Sequence, residues 1–201
     1  MATGFNISSF KNRGLALGGA RPALFEVYMS QPAGLRGINQ RSLDKFRFTC
    51  RAAAIPASTV SSVDIGYFGR KIKVSGDRTF TDWTVTVMND EDFAVRSFFE
   101  KWSNSLNSLQ SNIRDASYVG SESLYKSELN VIQYGKAGDV IRAYDIIGAF
   151  PTSVDAITLD WDTTNQIETF NVTFAYDYWL PDAATDTVNS YRTNATTPIS
   201  F

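Results

Sequence analysis

Histidine is absent from the 201 residues. That removes the commonest general base near neutral pH, the Ser-His and Cys-His nucleophile pairs, and the usual zinc ligand. Cysteine occurs once, at Cys50, so no disulfide can close within the chain, which suits a reducing compartment. No apolar run approaches the roughly 18 residues of a membrane helix, and no membrane anchor is expected. The opening "MATGFNISSFKNRGLALGGA" lacks the unbroken apolar stretch of a secretory signal. "GYFGRK" has neither the spacing nor the Lys-Ser/Thr ending of a phosphate-binding loop. "DEDF" is followed by no EF-hand spacing, and sequence does not place Asp160/Asp162 against Asp177/Asp182, so neither a calcium site nor a glycosidase pair is supported. The expectation is a protein without catalytic, cofactor-binding or metal residues, and not an enzyme.

What is present is polarised. The net charge is only −2, yet residues 1–75 hold eleven Lys/Arg against three Asp/Glu, whereas residues 76–201 hold eight against eighteen. These charges either mix on one folded surface or give a subunit whose basic part meets the acidic part of a neighbour, a device that steers and registers contacts.

Period-two alternation predicts most of the elements. "ALFEVYMS" (23–30) is a first strand. In "KFRFTCRA", Phe46, Phe48 and Cys50 alternate with Lys45, Arg47, Thr49 and Arg51, and "RKIKVSG" sets Ile72 and Val74 against Lys71 and Lys73. Residues 44–75 together predict a long hairpin, basic on one face. Trp83, Val85 and Val87 share a strand face. Val95, Phe98, Phe99, Trp102, Leu106 and Leu109 then recur at helical spacing, predicting a helix over 90–109. Asn89 or Asp90 is placed to cap it, and Glu91 and Asp92 sit where the helix dipole favours anions. "SELNVIQYG" and "DVIRAYDIIGAFP" predict a hairpin through Gly135–Asp139, followed by a strand at "ITLDWD". A last strand places Phe170, Val172, Phe174, Tyr176 and Tyr178 on one face. The predicted core is Trp83, Val85, Val87, Phe98, Phe99, Trp102, Phe170, Val172, Phe174 and Tyr176. Residues 1–22 read as an arm, 23–180 as the domain and 181–201 as a tail. Sequential hairpins with one helix predict a mainly β fold, an antiparallel sandwich or barrel flanked by that helix.

Three stretches, in order, carry a resemblance: "GGARPALFEVYM", "GYFGRKIKVSGDRTFTDWTVTVMNDEDF" and "IIGAFPTSVDAITLDWDTTNQIETFNVTFAYDYW". Over roughly residues 19–180 the chain resembles the tail tube proteins of contractile-tailed bacteriophages. The resemblance implies a structural virion protein of the tail, assembled in the host bacterial cytoplasm. Its subunits would form hexameric rings stacked head to tail around a channel. The implied partners are copies of itself, a sheath protein, and baseplate and tape-measure components, with genomic DNA passing through the lumen without specific binding. A tube initiator, a secretion-tube subunit and, from another class, a monomeric ligand-binding barrel are the alternatives. Under this reading Arg51, Arg70, Lys71 and Lys73 are expected to meet acidic groups such as Asp90, Glu91 and Asp92 of a neighbour. Glu128 and Asn130 are expected to face a lumen that avoids a dense cationic lining.

Overall fold

A computed structural model describes residues 6–15 and 18–182. The chain makes a helical turn, α1 (Ile7–Ser9), running into a π-helical turn (Phe10–Gly14). There follow β1 (Phe25–Met29), helix α2 (Gln40–Thr49), β2 (Cys50–Ala53), β3 (Ser58–Tyr67), β4 (Arg70–Phe80) and β5 (Trp83–Met88). Helix α3 (Ala94–Leu106) comes next, then β6 (Ser127–Tyr134), β7 (Val140–Val154), β8 (Thr169–Ala175) and β9 (Tyr178–Asp182).

Every strand pairing is antiparallel. One sheet runs β1-β6-β7-β8-β5-β2 with β9 also on β7, and a separate two-stranded sheet is β3-β4. Strand β7 is the pivot. Its first part pairs with β6 and β9, and its last part, from Phe150, pairs with β8. The sheet therefore has two halves that share one strand. Among the described residues β1 and β2 do not pair, so a single subunit closes no barrel.

The change of partner on β7 is local to Gly148, whose φ is +71°. A Cβ there would meet the Asp177 carboxylate. Asp177 is itself fixed, because its N–H donates to the Ile147 carbonyl at 3.0 Å and Lys126 Nζ donates to its carboxylate. Glycine is required at this site both for its backbone and for space.

Helices α2 and α3 pack against the sheet. Val95, Phe98, Phe99 and Trp102 form the buried stripe of α3 and join Phe46 and Leu43 of α2 in one core with Trp83, Val85, Val87, Phe170, Val172 and Phe174. Phe99 lies 5.8 Å from Phe174 and 5.5 Å from Phe46, both edge to face, a geometry that adds to area burial. Trp102 is wholly buried, and its indole N–H donates to the Tyr125 carbonyl at 2.9 Å.

Several expectations from sequence give way here. Residues 40–49 are helix, so the hairpin is 58–80 and not 44–75. Asn39 caps α2 by accepting from the Arg41 N–H. Ser42, Leu43 and Phe46 are buried at helical spacing, while Phe48 is 69% exposed. The Phe46-Phe48 alternation therefore coincides with a helix that buries only one of the two. "ITLDWD" forms no strand: residues 155–168 are loop, with Leu159 and Trp161 exposed. The last aromatic run breaks at Tyr176–Asp177. Tyr176 is half-buried beside the core, and Tyr178 begins β9 on β7. Helix α3 stops at Leu106, leaving Leu109 in solvent. The expected tail beyond Asp182 lies outside the described residues.

Replacing Gly148 with alanine should destabilise the fold by more than about 1 kcal/mol. Chemical unfolding followed by tryptophan fluorescence measures it, and an unchanged midpoint would show that the bend does not depend on glycine.

Candidate assembly interface

Between Thr59 and Ser75 the side chains of the hairpin are exposed to solvent. Phe68 (φ +45°) and Gly69 (φ +78°) form its two-residue turn, with positive φ at both central positions, as the right-handed strand twist favours. Register then sorts the faces. Val63 opposes Val74, Ile65 opposes Ile72 and Tyr67 opposes Arg70, so these six share one face; Asp64 opposes Lys73 and Gly66 opposes Lys71 on the other. The first face is apolar except for Arg70, and its valines, isoleucines and tyrosine are all exposed. The second carries Lys71 and Lys73, with Lys71 Nζ 3.9 Å from Asp64.

Sheet register fixes where the hairpin leaves the body. Trp83 pairs with Phe174 at one end of β5-β8, and Met88 pairs with Thr169 at the other, about 17 Å away at roughly 3.3 Å per residue. The hairpin base lies at the Trp83 end, where the Tyr176 hydroxyl and Trp179 indole donate to the Ala57 carbonyl, both at 3.3 Å. The strand-to-helix joint Asn89–Phe93 and the loop 155–168 lie at the Met88 end. They are tied together by the Asn89 N–H to the Glu168 carbonyl at 2.8 Å and by Asn89 Nδ2 to the Glu168 carboxylate at 3.0 Å.

The joint works differently from its sequence-level reading. Asn89 and Asp90 do not cap α3. Phe93 occupies the capping position with φ +50° and no side-chain bond to the helix, and Asp92 Oδ1 accepts from the Ala94 N–H at 3.0 Å. Asp90 instead accepts from the Glu91 N–H and, through its carbonyl, from Phe93. Asp90 and Asp92 also share Lys45 of α2, whose ammonium lies 2.5 Å from Asp90 and in direct contact with Asp92. That hydrogen bonding by Lys45 holds both carboxyls below the usual aspartate range and raises the lysine. Two of the three anions expected to meet a neighbour are therefore engaged within the subunit. Glu91 remains exposed, as does Arg51.

The outward face of the β1-β6-β7 half is acidic and polar. Tyr28 pairs with Asn130, Asn130 with Asp145, and Glu26 with Ile132, with Glu128 exposed beside them. Asn130 Nδ2 donates to Asp145 at 2.5 Å. Glu26 accepts from the Tyr28 and Tyr134 hydroxyls and from Arg47 at 2.7–3.1 Å. Burial opposes its charge, but those donors outweigh it and hold the carboxyl below its usual range. Among the described residues no cluster of His, Cys, Asp and Glu could hold a metal ion. Burial pushes the Cys50 thiol up to about 12, far from a reactive thiolate.

A sequence model of one family, described as phage tail tube protein, matches residues 20–182. The chain belongs to the phage tail tube protein family. It is 41% identical over 161 residues to tail tube protein gp19 of Enterobacteria phage T4, covering 80% of this chain and 90% of that one. The corresponding protein of Enterobacteria phage T6 is 40% identical over the same length. Among solved structures, the chain shares its fold with a sheath/tube terminator of an extracellular contractile injection system: TM-score 0.58, 17% identity, covering 82% of this chain and 97% of that one. A sheath–tube complex of such a system gives TM-score 0.51 at 18% identity, covering 89% and 99%. The family resemblance carried by the three sequence stretches is thereby established for this tail tube protein. What sequence reading missed is the first strand of its hairpin. Val63, Ile65 and Tyr67 alternate visibly, but the expectation of one hairpin over residues 44–75 does not separate them as a strand of their own.

Replacing Lys45 with alanine should lower the melting temperature at neutral pH. The aspartate pKa values are depressed in the folded protein. Their contribution is therefore present above the ordinary aspartate value and is lost as pH falls through the depressed one. The gap between variant and parent in a thermal scan should close in acid; a gap independent of pH would show that Lys45 acts by packing alone.

Proposed function

We propose that this protein is the repeating subunit of a phage tail tube, in which hexameric rings stack head to tail inside a contractile sheath around a channel for the genome. The observation that carries the reading is the β3-β4 hairpin, whose apolar face is exposed along its length and which leaves the subunit at the end opposite the acidic joint and loop. A contact between unlike ends does not close on itself, so it propagates. Identity to gp19 over most of both chains supports a tube subunit over an initiator or terminator. A monomeric ligand-binding barrel finds no support, because the sheet does not close.

In this assembly Arg51, Arg70, Lys71 and Lys73 contact the acidic end of a neighbour, where Glu91 is the anion of the joint that Lys45 does not hold. The acidic outer face with Glu128 and Asn130 lines the lumen, so that DNA slides past anions and amides. The sheath binds the outer wall, baseplate and tape-measure components meet the tube's ends, and the tail is put together in the host cytoplasm. The role is structural.

Reversing both Lys71 and Lys73 to glutamate should cut the mass of tubes seen by negative-stain microscopy at least about tenfold, since like charges across a contact cost several kcal/mol. Tubes of normal length from that variant, with its melting curve unchanged, would remove the hairpin's basic face from the contact.

A further inference from the structure

The loop 155–168 is as conspicuous as the hairpin. Trp161 is 99% exposed, and Leu159 and Ile167 also stand in solvent. Together with Ile157 they line a cleft of about 440 Å³. The loop carries Asp155, Asp160, Asp162 and Glu168 and no basic residue, whereas the hairpin 58–80 carries four Lys/Arg against two aspartates. Asp160 and Asp162 flank Trp161, and Asp160 accepts from the Asp162 N–H at 3.0 Å, which shapes the tip. The loop is held to the body from behind. The Asp155 N–H donates to the Asn171 carbonyl and Arg96 donates to the Asp155 carbonyl, while Asn89 binds Glu168 at the other limb.

We propose that this loop is the acceptor for the hairpin of a second copy of this chain. Val63, Ile65, Ile72 and Val74 lie over Trp161, Leu159 and Ile167, and Arg70, the one cation on that apolar face, enters between Asp160 and Asp162. The surfaces are complementary: an apolar strip ending in a cation against a mixed cleft, in which Ile157, Leu159, Trp161 and Ile167 stand among polar groups that include Asp160 and Glu168. The hairpin base and the loop lie at opposite ends of β5-β8, and the hairpin's apolar face is left exposed within the subunit, so each copy offers a donor at one end and an acceptor at the other. The joint is a poorer acceptor, because Lys45 already holds Asp90 and Asp92. Exposed apolar patches with a polar rim mark protein contacts, and tryptophan is a frequent anchor of them.

The inference rests on the tube reading, and the test separates the two. Parent protein, Trp161→Ala, and Asp160→Arg/Asp162→Arg with and without Arg70→Asp are purified and viewed by negative-stain microscopy, with thermal scans as a check on folding. The parent should form tubes, and a parent that forms neither rings nor tubes overturns the tube reading itself. Trp161→Ala and the double arginine variant should keep the parental melting temperature and lose tubes by at least about tenfold, with Arg70→Asp partly restoring them in the double variant. Normal tubes from both loop variants would overturn the loop as acceptor and leave the tube reading standing. Mixing an Ile65→Cys population with a Trp161→Cys population under mild oxidant should give a linked heterodimer, with the parent Cys50 as background. Should Trp161→Ala fail to fold, this link decides: its absence in assembled mixed material overturns the proposal.

Discussion

The packing of Phe99 and Trp102 against Phe174, with Phe46 on the far side of Phe99, is the contact on which the other placements depend. It joins two helices to the central strand of one half-sheet. Burying rings of this size contributes roughly 1.5–3 kcal/mol each, and the edge-to-face geometry adds to that. Because α3 is pinned here, the joint 89–93 must turn sharply out of β5, and Phe93 takes a left-handed backbone to do it. Because α2 is pinned by Phe46, Lys45 and Arg47 are aimed at the joint and at β1, where they meet Asp90, Asp92 and Glu26. The ion pairs follow from the aromatic packing and do not create it.

Elements with one strict period and one buried face could be read from sequence. Trp83-Val85-Val87, Phe170-Val172-Phe174 and Val95-Phe98-Phe99-Trp102 are buried where their spacing places them. The segment 40–49 misled because two phenylalanines two apart satisfy a strand pattern, whereas Leu43 and Phe46 satisfy a helix pattern, and only tertiary packing selects between them. Tyr178 misled for another reason. Asp177 donates its N–H to Ile147 and ends the β8 alternation, a long-range bond with no sequence signal. Residues 155–168 hold leucine and tryptophan at strand spacing, yet among the described residues no strand pairs with them.

The polarity of charge along the sequence survives folding only in part. Lys45 and Arg47 belong to the basic N-terminal portion, and both are spent on acids of their own subunit. Charge is also separated by position: a basic hairpin at the Trp83 end and four loop acids at the Met88 end. A balance counted along the chain would overstate the contact between copies. The count that matters is of charges left after local pairing, and it falls on fewer residues.

A two-stranded hairpin is marginal alone in water, and this one shows an apolar face to solvent on top of that. Its turn and its β-bulge between Val60 and Ser62 define the register without outside help. The geometry of the face is thus set before any partner arrives, and docking then has little ordering left to oppose it. Within the subunit the face stays uncovered, and the loop 155–168 lies at the other end of the β5-β8 pair. In the proposed assembly each added copy covers one hairpin and exposes another. The driving force for addition is then the same at every step, and growth ends only when something covers the last exposed face without presenting a new one.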